Sequence, residues 1–389
     1  MAKVLSLFDG MACGMIAMQL AGVQVESYDA YEIDKYAIKT AQHNFPMIKE
    51  HGDVFGADFT QYEGVDFLIG GSPCTYWSIA QTKNRETVAS GMGWELFRQY
   101  VRALHEAKPK YFIYENNKSM SKAIRASIDE TFGFEAVLIN SALVSAQNRQ
   151  RLYWVGKRND DGTYSKVLVE QPEDRGILLR DILEIGVCWR DKSYTLDANY
   201  YKGGNLTSLE KQSGHRLMVA EPINVTVDDK SHTLKAQYYK NGIANFISND
   251  GFDATAVAEP VRIGALPRPN GELSTSQAFR VYSVDGKSVN LTAGGGGAGG
   301  KTGLYAIPTD KPIYEVNDGM ITIKGKQYPI KLVDGYYIIR KLTVTECMRL
   351  QTVPEWYEWP VSDTQAYKML GNGWTCEVIA HLIRSAIDA

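Results

Sequence analysis

The order of apolar and polar positions divides this chain into three textures. Up to about residue 157, short apolar runs bounded by glycines alternate with stretches whose apolar residues recur every three or four positions. That is the pattern of buried strands connected by helices. Lys3–Phe8, Val25–Tyr31, Val65–Ile69, Tyr111–Tyr114, Ala136–Ile139 and Leu152–Gly156 read as strands, and Met15–Leu20, Tyr36–Asn44, Glu95–Ala107 and Lys118–Phe132 as helices. From Arg158 to about Ile339 the runs shorten, turn glycines multiply and helical periods fade, which predicts a mostly β region with irregular loops. After Arg340 the helical period returns. Thr343 with Glu346 three positions on reads as a capping box, and Val378–Ile387 as an amphipathic helix.

Chemistry gathers at the expected strand ends. Gly70-Gly71-Ser72-Pro73-Cys74-Thr75-Tyr76-Trp77-Ser78 follows a buried strand, so Cys74 falls at the carboxyl edge of a sheet, on a turn stiffened by Pro73. A lone cysteine is ordinarily an inert small hydrophobe. A second strand end, Glu115-Asn116, would put a carboxyl group on a neighbouring tip, and Gln147-Asn148-Arg149-Gln150-Arg151 adds two arginines before a further strand. The first strand runs into Asp9-Gly10-Met11-Ala12-Cys13-Gly14, a turn whose glycines allow close approach of a ligand beside a helix start. Glu32 and Asp34 end the second strand, where a carboxylate suits ribose hydroxyls or, equally, a solvated helix start. Asp53, in Gly52-Asp53-Val54, could accept from an adenine amine or simply cap a turn.

Composition narrows the field without choosing a function. A chain of 389 residues, 44% hydrophobic and 22% charged, is ordinary for a globular protein and long enough for two cores. The absence of an apolar run of about 18 residues argues against a membrane span, and the first residues lack a signal-peptide layout. Five cysteines without metal spacing suggest a reducing compartment, hence a cytoplasmic place of action, and no metal site. The net charge of −3 means that any phosphate-binding surface must be a local cluster. Residues 191–204 match 229–242 at 10 of 14 positions, and a looser third copy starts at Lys287, followed by a glycine run and Lys301-Thr302. Such copies could be hairpins kept for packing, or loops presenting lysines and bare amides to phosphates.

Together, the Pro-Cys, Glu-Asn and Gln-x-Arg-x-Arg segments resemble the motifs of the DNA cytosine-5 methyltransferases. The likeness extends to the first turn and to Gly371-Asn372-Gly373 near the end of the chain. It implies an α/β, Rossmann-like, S-adenosylmethionine-dependent methyltransferase fold with an inserted, mostly β target-recognition domain. The catalytic domain would then be residues 1–157 completed by 340–389, and the insert 158–339. The resemblance assigns Phe8, Asp9, Gly10, Gly14, Glu32, Ile33, Asp53, Val54, Pro73 and Asn372 to S-adenosylmethionine. Ile33 departs from the family, since many relatives carry Trp there. The polar stretch Ile79–Gly93 would be a loop that closes over DNA. Ser78, Gln147, Lys202, Lys240, Lys301 and Thr302 would contact DNA, with the first two repeat copies serving as further DNA-facing loops.

The implied chemistry suits these residue types. Carbon 5 of cytosine is a poor nucleophile until a thiolate adds to carbon 6, which would be the task of Cys74. Glu115 would bond the ring nitrogen and the exocyclic amine, Arg151 would hold the ring oxygen, and Arg149 would support the cysteine loop or a nearby phosphate. The target base would be flipped out of double-stranded DNA. Thr75 and Asn117 stand where most bacterial relatives have Gln and Val, and the Ser-Pro-Cys form is closer to the animal de novo branch and some phage enzymes. Neither position supplies the nucleophile or the acid. The expectation is a monomeric DNA methyltransferase of the kind found in restriction–modification, needing no metal and no membrane. The alternatives are a cytosine-5 methyltransferase acting on transfer RNA, disfavoured by the long insert, and an inert DNA-binding relative, disfavoured by retention of Cys74 and Glu115.

Overall fold

The computed structural model describes residues 1–78, 85–184, 191–202, 217–226 and 313–389 apart from 324, 331 and 333, with residues 186 and 188 and short strands at 232–234, 262–265, 280–283 and 304–306. Two compact units emerge. The first comprises Met1–Glu184, Arg190–Leu217 and Lys341–Ala389; the second comprises Ile185–Trp189 and Met218–Arg340. Residues 158–184 and 191–202, which the sequence assigns to the insert, therefore lie in the first unit.

The first unit is built on a mixed sheet with a parallel core. Its strands are β1 (Ala2–Leu7), β2 (Val25–Tyr31), β3 (Lys49–Glu50), β4 (Phe67–Gly70), β5 (Tyr111–Asn117), β6 (Val137–Asn140), β8 (Gln150–Arg158) and β9 (Tyr164–Lys166), while β7 (Gln147–Asn148) lies outside it. The order is β3-β2-β1-β4-β5-β8-β6, with β9 paired to β8. The strands from β3 to β5 are parallel, and β8 runs antiparallel to both β5 and β6. Residues of β4 and β5 are buried without alternation, as expected of strands covered on both faces. The reversal of strand order at β1 and β4 opens a crevice at their carboxyl ends, the place where sheets of this kind bind ligands.

Helices α1 (Cys13–Leu20), α2 (Lys35–Asn44), α3 (Gly91–Ala107), α4 (Lys122–Phe132) and the short α5 (Leu179–Ile182) precede the return segment, whose helices are α6 (Val344–Leu350), α7 (Asp363–Asn372) and α8 (Cys376–Asp388). Sequence and structure agree closely on β2 and α2. They differ at α3, which begins at Gly91 because Glu86 accepts from the amide of Gly93 and from the indole of buried Trp77, so the expected loop is anchored at its end. Residues 79–84 of that loop lie outside the described residues. Lys118 to Ser121 stay outside α4, with Ser121 capping Ile124. The capping box of Thr343 and Glu346 forms as expected, and α8 packs on α1, where Arg384 Nη1 meets the carbonyl of Leu20 at 3.0 Å. One face of the sheet buries Trp77, Phe97, Tyr100, Phe112, Tyr114, Phe132 and Trp154 together. Each such side chain contributes roughly 1.5–3 kcal/mol.

The second unit is β-structured in its described residues. Strands β11 (Met218–Thr226), β12 (His232–Leu234), β16 (Ile313–Asn317), β17 (Met320–Ile323), β18 (Lys326–Pro329) and β19 (Gly335–Lys341) form a sheet in the order β12-β11-β19-β16-β17-β18. Strands β13 (Arg262–Ala265), β14 (Arg280–Ser283) and β15 (Leu304–Ala306) form a second sheet. Arg340 and Glu221 pair at 2.6 Å within this unit. No helix among the described residues is long and apolar enough to cross a membrane.

Candidate active site

One cavity of about 260 Å³ opens in the first unit at the crevice beyond β1, β4 and β5. It collects residues from six separate stretches of sequence. Phe8, Asp9 and Gly10 come from the first turn, Glu32 and Asp34 from the end of β2, and Gly71, Ser72, Pro73 and Thr75 from the turn after β4. Glu115 with Arg149 and Arg151 supplies one wall, and Lys368, Asn372 and Trp374 supply the return segment's share.

The first turn is tightly folded. Phe8 and Ala12 both adopt positive φ, 58° and 60°, which costs a non-glycine residue about 1–3 kcal/mol. Gly10 at φ 63° has no atom within 4 Å of where a Cβ would sit, so its open side faces free space. Its amide donates to Glu32 Oε2 at 2.9 Å, and the amides of Ile33 and Asp34 donate to Oε1 at 2.8 Å. Beneath the turn, Ser6 Oγ and Tyr28 OH each donate to Asp9 Oδ1 at 2.5 Å, while Asp9 Oδ2 is buried and unpartnered. Burial pushes the Asp9 carboxyl up to about 6. Glu50 of β3, both of whose oxygens also lack a partner, is pushed up to about 8 by burial and then by the negative charges of Asp9 and Glu32.

At the other end of the cavity sits Glu115, on β5 next to β4. Arg151 Nε lies 3.0 Å from Glu115 Oε1, and the Trp374 indole donates to Oε2 at 3.0 Å. The β5–β8 register sets Asn117 opposite Arg151, which brings the arginine alongside the carboxylate. Gly71 is obligatory here, because a Cβ would come within 2.8 Å of the Glu115 carbonyl and 2.9 Å of Oε2. Asn116 faces away from the cavity chemistry: its Nδ2 donates to the Ser72 carbonyl at 3.2 Å, tying the β4 turn to β5. Ser72 Oγ and Tyr114 OH add a 2.6 Å bond between the same two elements. Cys74 opens a short 3-10 turn, Cys74–Tyr76, directly after Pro73.

Other expected residues sit elsewhere. Arg149 is buried beside the cavity, and its guanidinium donates to the carbonyls of Leu196, Gly371 and Gly373 at 3.2, 3.3 and 2.8 Å. Those bonds staple backbone together from a side chain that also borders the cavity. Gln147, expected on DNA, is completely buried, with its side chain bonded to the Leu350 carbonyl and the Leu196 amide. Gly14 is packed, not open: a Cβ there would strike Ile69 Cδ1 at 2.3 Å and Tyr28 OH at 2.5 Å. Asp53 caps the next turn through the Phe55 amide at 3.0 Å, Val54 is buried, and Ile33 is 76% exposed; none of the four lines the cavity. Asp34 likewise caps α2 and bonds Lys368 Nζ at 2.7 Å.

The first repeat copy belongs to the packing of this unit. Lys192 Nζ donates to the carbonyls of Ala142, Ser145 and Ile177, and β10 (Ser193–Tyr194) pairs with β7. The backbone of Asp197 and Ala198 presses so closely on Gly371 that a Cβ there would lie 2.2 Å away. In this copy the side chains of Lys192, Ser193 and Thr195 are bonded to neighbouring backbone carbonyls and serve packing. Lys202, from that copy, has its amine 5.6 Å from the Tyr201 ring centroid, and Ser78 is half-buried. Lys240, Lys301 and Thr302 lie outside the described residues. The sequence reading missed Trp374; its only signal was adjacency to Gly371-Asn372-Gly373. No His, Cys, Asp and Glu group among the described residues could hold a metal ion.

A parallel sheet with a glycine turn after its first strand, a carboxylate ending its second and a further carboxylate pinned at β5 defines a Rossmann-like methyltransferase fold. A DNMT2 from Spodoptera frugiperda, solved as a mutant form, shares that fold with a TM-score of 0.54 at 14% identity, over 100% of both chains. The family model for C-5 cytosine-specific DNA methylase matches residues 2–388, and the chain belongs to that family. An orphan methyltransferase of Bacillus phage SPR is 35% identical over 170 residues, 41% of this chain and 38% of the relative. A type II methyltransferase of Lactococcus lactis subsp. cremoris, M1.ScrFI, is 31% identical over 216 residues, 52% of each chain. The matched part thus spans about half or less of these curated relatives.

Proposed function

We propose that this protein methylates carbon 5 of cytosine in a specific short sequence of double-stranded DNA, using S-adenosylmethionine. The observation that carries the reading is Glu115, held by Arg151 and Trp374 at the edge of a cavity whose far end is the Phe8-Asp9-Gly10 turn and Glu32.

The cavity fits the cofactor on its own chemistry. Gly10 leaves an open cradle, the unpartnered Asp9 Oδ2 can accept from an ammonium or hydroxyl, and Glu32 and Asp34 add negative charge suited to a cation. Phe8, Asp9, Gly10, Glu32, Pro73 and Asn372 would hold it. When bound, the sulfonium supplies the methyl group as an electrophile.

The protein's own residues would act in sequence. Cys74, as thiolate, adds to carbon 6 of a flipped cytosine and places electron density on carbon 5. Glu115 gives a proton or hydrogen bond to the ring nitrogen and accepts from the exocyclic amine, so charge arriving there is met by a fixed group. Arg151, already beside Glu115, bonds the ring oxygen. After methylation a base removes the carbon 5 proton, and elimination restores both the aromatic ring and the thiolate. The second unit, residues 218–340, would read the target sequence, and the protein would act as a monomer in the cytoplasm without a metal.

The test is base-resolution mapping of methylated cytosine in plasmid DNA after incubation with the protein and S-adenosylmethionine, with Cys74→Ser as control. Modification in one short context, absent in the control, is expected. A folded protein that leaves duplex DNA unmodified sinks the reading, and methylation of transfer RNA instead would redirect it.

A further inference from the structure

We infer that Trp374 is the positioning residue of Glu115: it fixes the plane of that carboxyl group and the direction in which the carboxyl carries its proton. The inference rests on the proposed role of Glu115 in cytosine methylation. A carboxyl group on a single-bonded stem can rotate, and one donor restrains only one of its oxygens. Here the two donors come from different elements and take one oxygen each. Arg151 Nε holds Oε1 at 3.0 Å from β8, and Trp374 Nε1 holds Oε2 at 3.0 Å from the return segment. Gly71 closes the third side, since even a methyl group there would approach Oε2 to 2.9 Å.

The indole is itself held rigidly. The carbonyl of Gly373, immediately before it, accepts from Arg149 Nη2 at 2.8 Å and from Gln351 Nε2 at 3.3 Å. Gln351 Nε2 also donates to the Leu370 carbonyl at 2.6 Å, so both ends of the turn are fixed to one side chain. Immediately after it, buried Thr375 bonds both Ser141 Oγ and Gln351 Oε1, at 2.8 and 2.9 Å. Arg149 and Gln351 therefore serve the site at one remove, by presenting the indole.

An indole N–H donates and never accepts. It occupies one lone pair of Oε2, so a proton on that oxygen must sit on the other lone pair, away from Trp374. A charge-assisted bond of this kind contributes enough to alter a rate roughly ten- to hundredfold if it is lost as the transition state forms.

The experiment compares wild type, Trp374→Phe, Trp374→His, Glu115→Gln and Glu115→Gln/Trp374→Phe. Single-turnover methyl transfer to duplex DNA, KM for DNA and cofactor, and Tm are measured for each. Trp374→Phe should lower the transfer rate at least about tenfold, with both KM values within about twofold and Tm unchanged. Trp374→His, which keeps a ring N–H, should recover most of that loss. In the Glu115→Gln background the Phe substitution should cost nothing further. A wild-type rate in Trp374→Phe, a loss confined to KM, or an equal loss in both backgrounds overturns the inference. Wild-type protein without transfer would instead refute the methyltransferase reading and remove this inference with it.

Discussion

The two ends of the cavity use the same functional group in opposite ways. At the β5 end, each oxygen of Glu115 has its own donor. Under the first turn, Asp9, which lines the cavity, keeps one buried oxygen without a partner, and Glu50 behind it, outside the lining, keeps two. Fixed donors prepare a carboxyl group for a reaction in which its orientation matters. Unsatisfied oxygens, whose burial raises the energy of the charged form, instead invite a proton or a bound cation. One end is thus satisfied within the protein, whereas the other keeps oxygens that no protein donor meets.

The strongest challenge to that contrast is Glu115→Gln, which preserves shape but removes the ionisable group. It should lower the methyl-transfer rate about 10²–10⁴-fold, read by single-turnover assay, with Tm near wild type. A rate within threefold of wild type would show that the pinned end has no part in the reaction. Next is Arg149→Ala, which strips its donors from the buried carbonyls of Leu196 and Gly371 and the part-buried one of Gly373, and should cost roughly 3 kcal/mol of stability, read by chemical denaturation. Gly71→Ala should cost about 1–3 kcal/mol and slow transfer as well, because the added methyl displaces the Glu115 carboxylate.

The smallest effect sharpens the other end. Glu50 ordinarily titrates near 4.5 and is pushed up to about 8 in the fold. The folded protein therefore holds a proton that the unfolded chain has already released, and stability falls as pH rises through that window. Glu50→Gln removes this dependence, so its Tm relative to wild type should climb between about pH 4.5 and 8. A constant Tm difference across that range would mean that Glu50 is not protonated in the native state.

Local signals carried much of this organisation. The Val65–Ile69 and Tyr111–Tyr114 runs located β4 and β5, and the glycines and prolines around them located the turns that line the cavity. Thr343 with Glu346 declared a helix start unaided. What local pattern could not show was long-range backbone contact. Arg149 and Arg151 sit two positions apart in one motif and both border the cavity, yet Arg149 is held by carbonyls more than 200 residues away and Arg151 by Glu115. Strand alternation would turn residues two apart to one face, but Arg149 falls in the break between β7 and β8, and only the packed return segment decides what it meets. Gln147 and Gly14 were read as ligand contacts for the same reason, because polarity and small size serve packing as well as binding. Trp374 is 259 residues from Glu115 and had no periodic signal of its own.

The close approach of Asp197 and Ala198 to Gly371 has a consequence for engineering. A graft that exchanges the second unit, guided only by where the helical texture of the sequence ends, would be cut near residue 158. That splice would discard the buttress behind the Asn372 turn and the partner of Arg149 at Leu196. Junctions after Leu217 and before Lys341 would keep both, so a chimera cut there should retain the cavity lining.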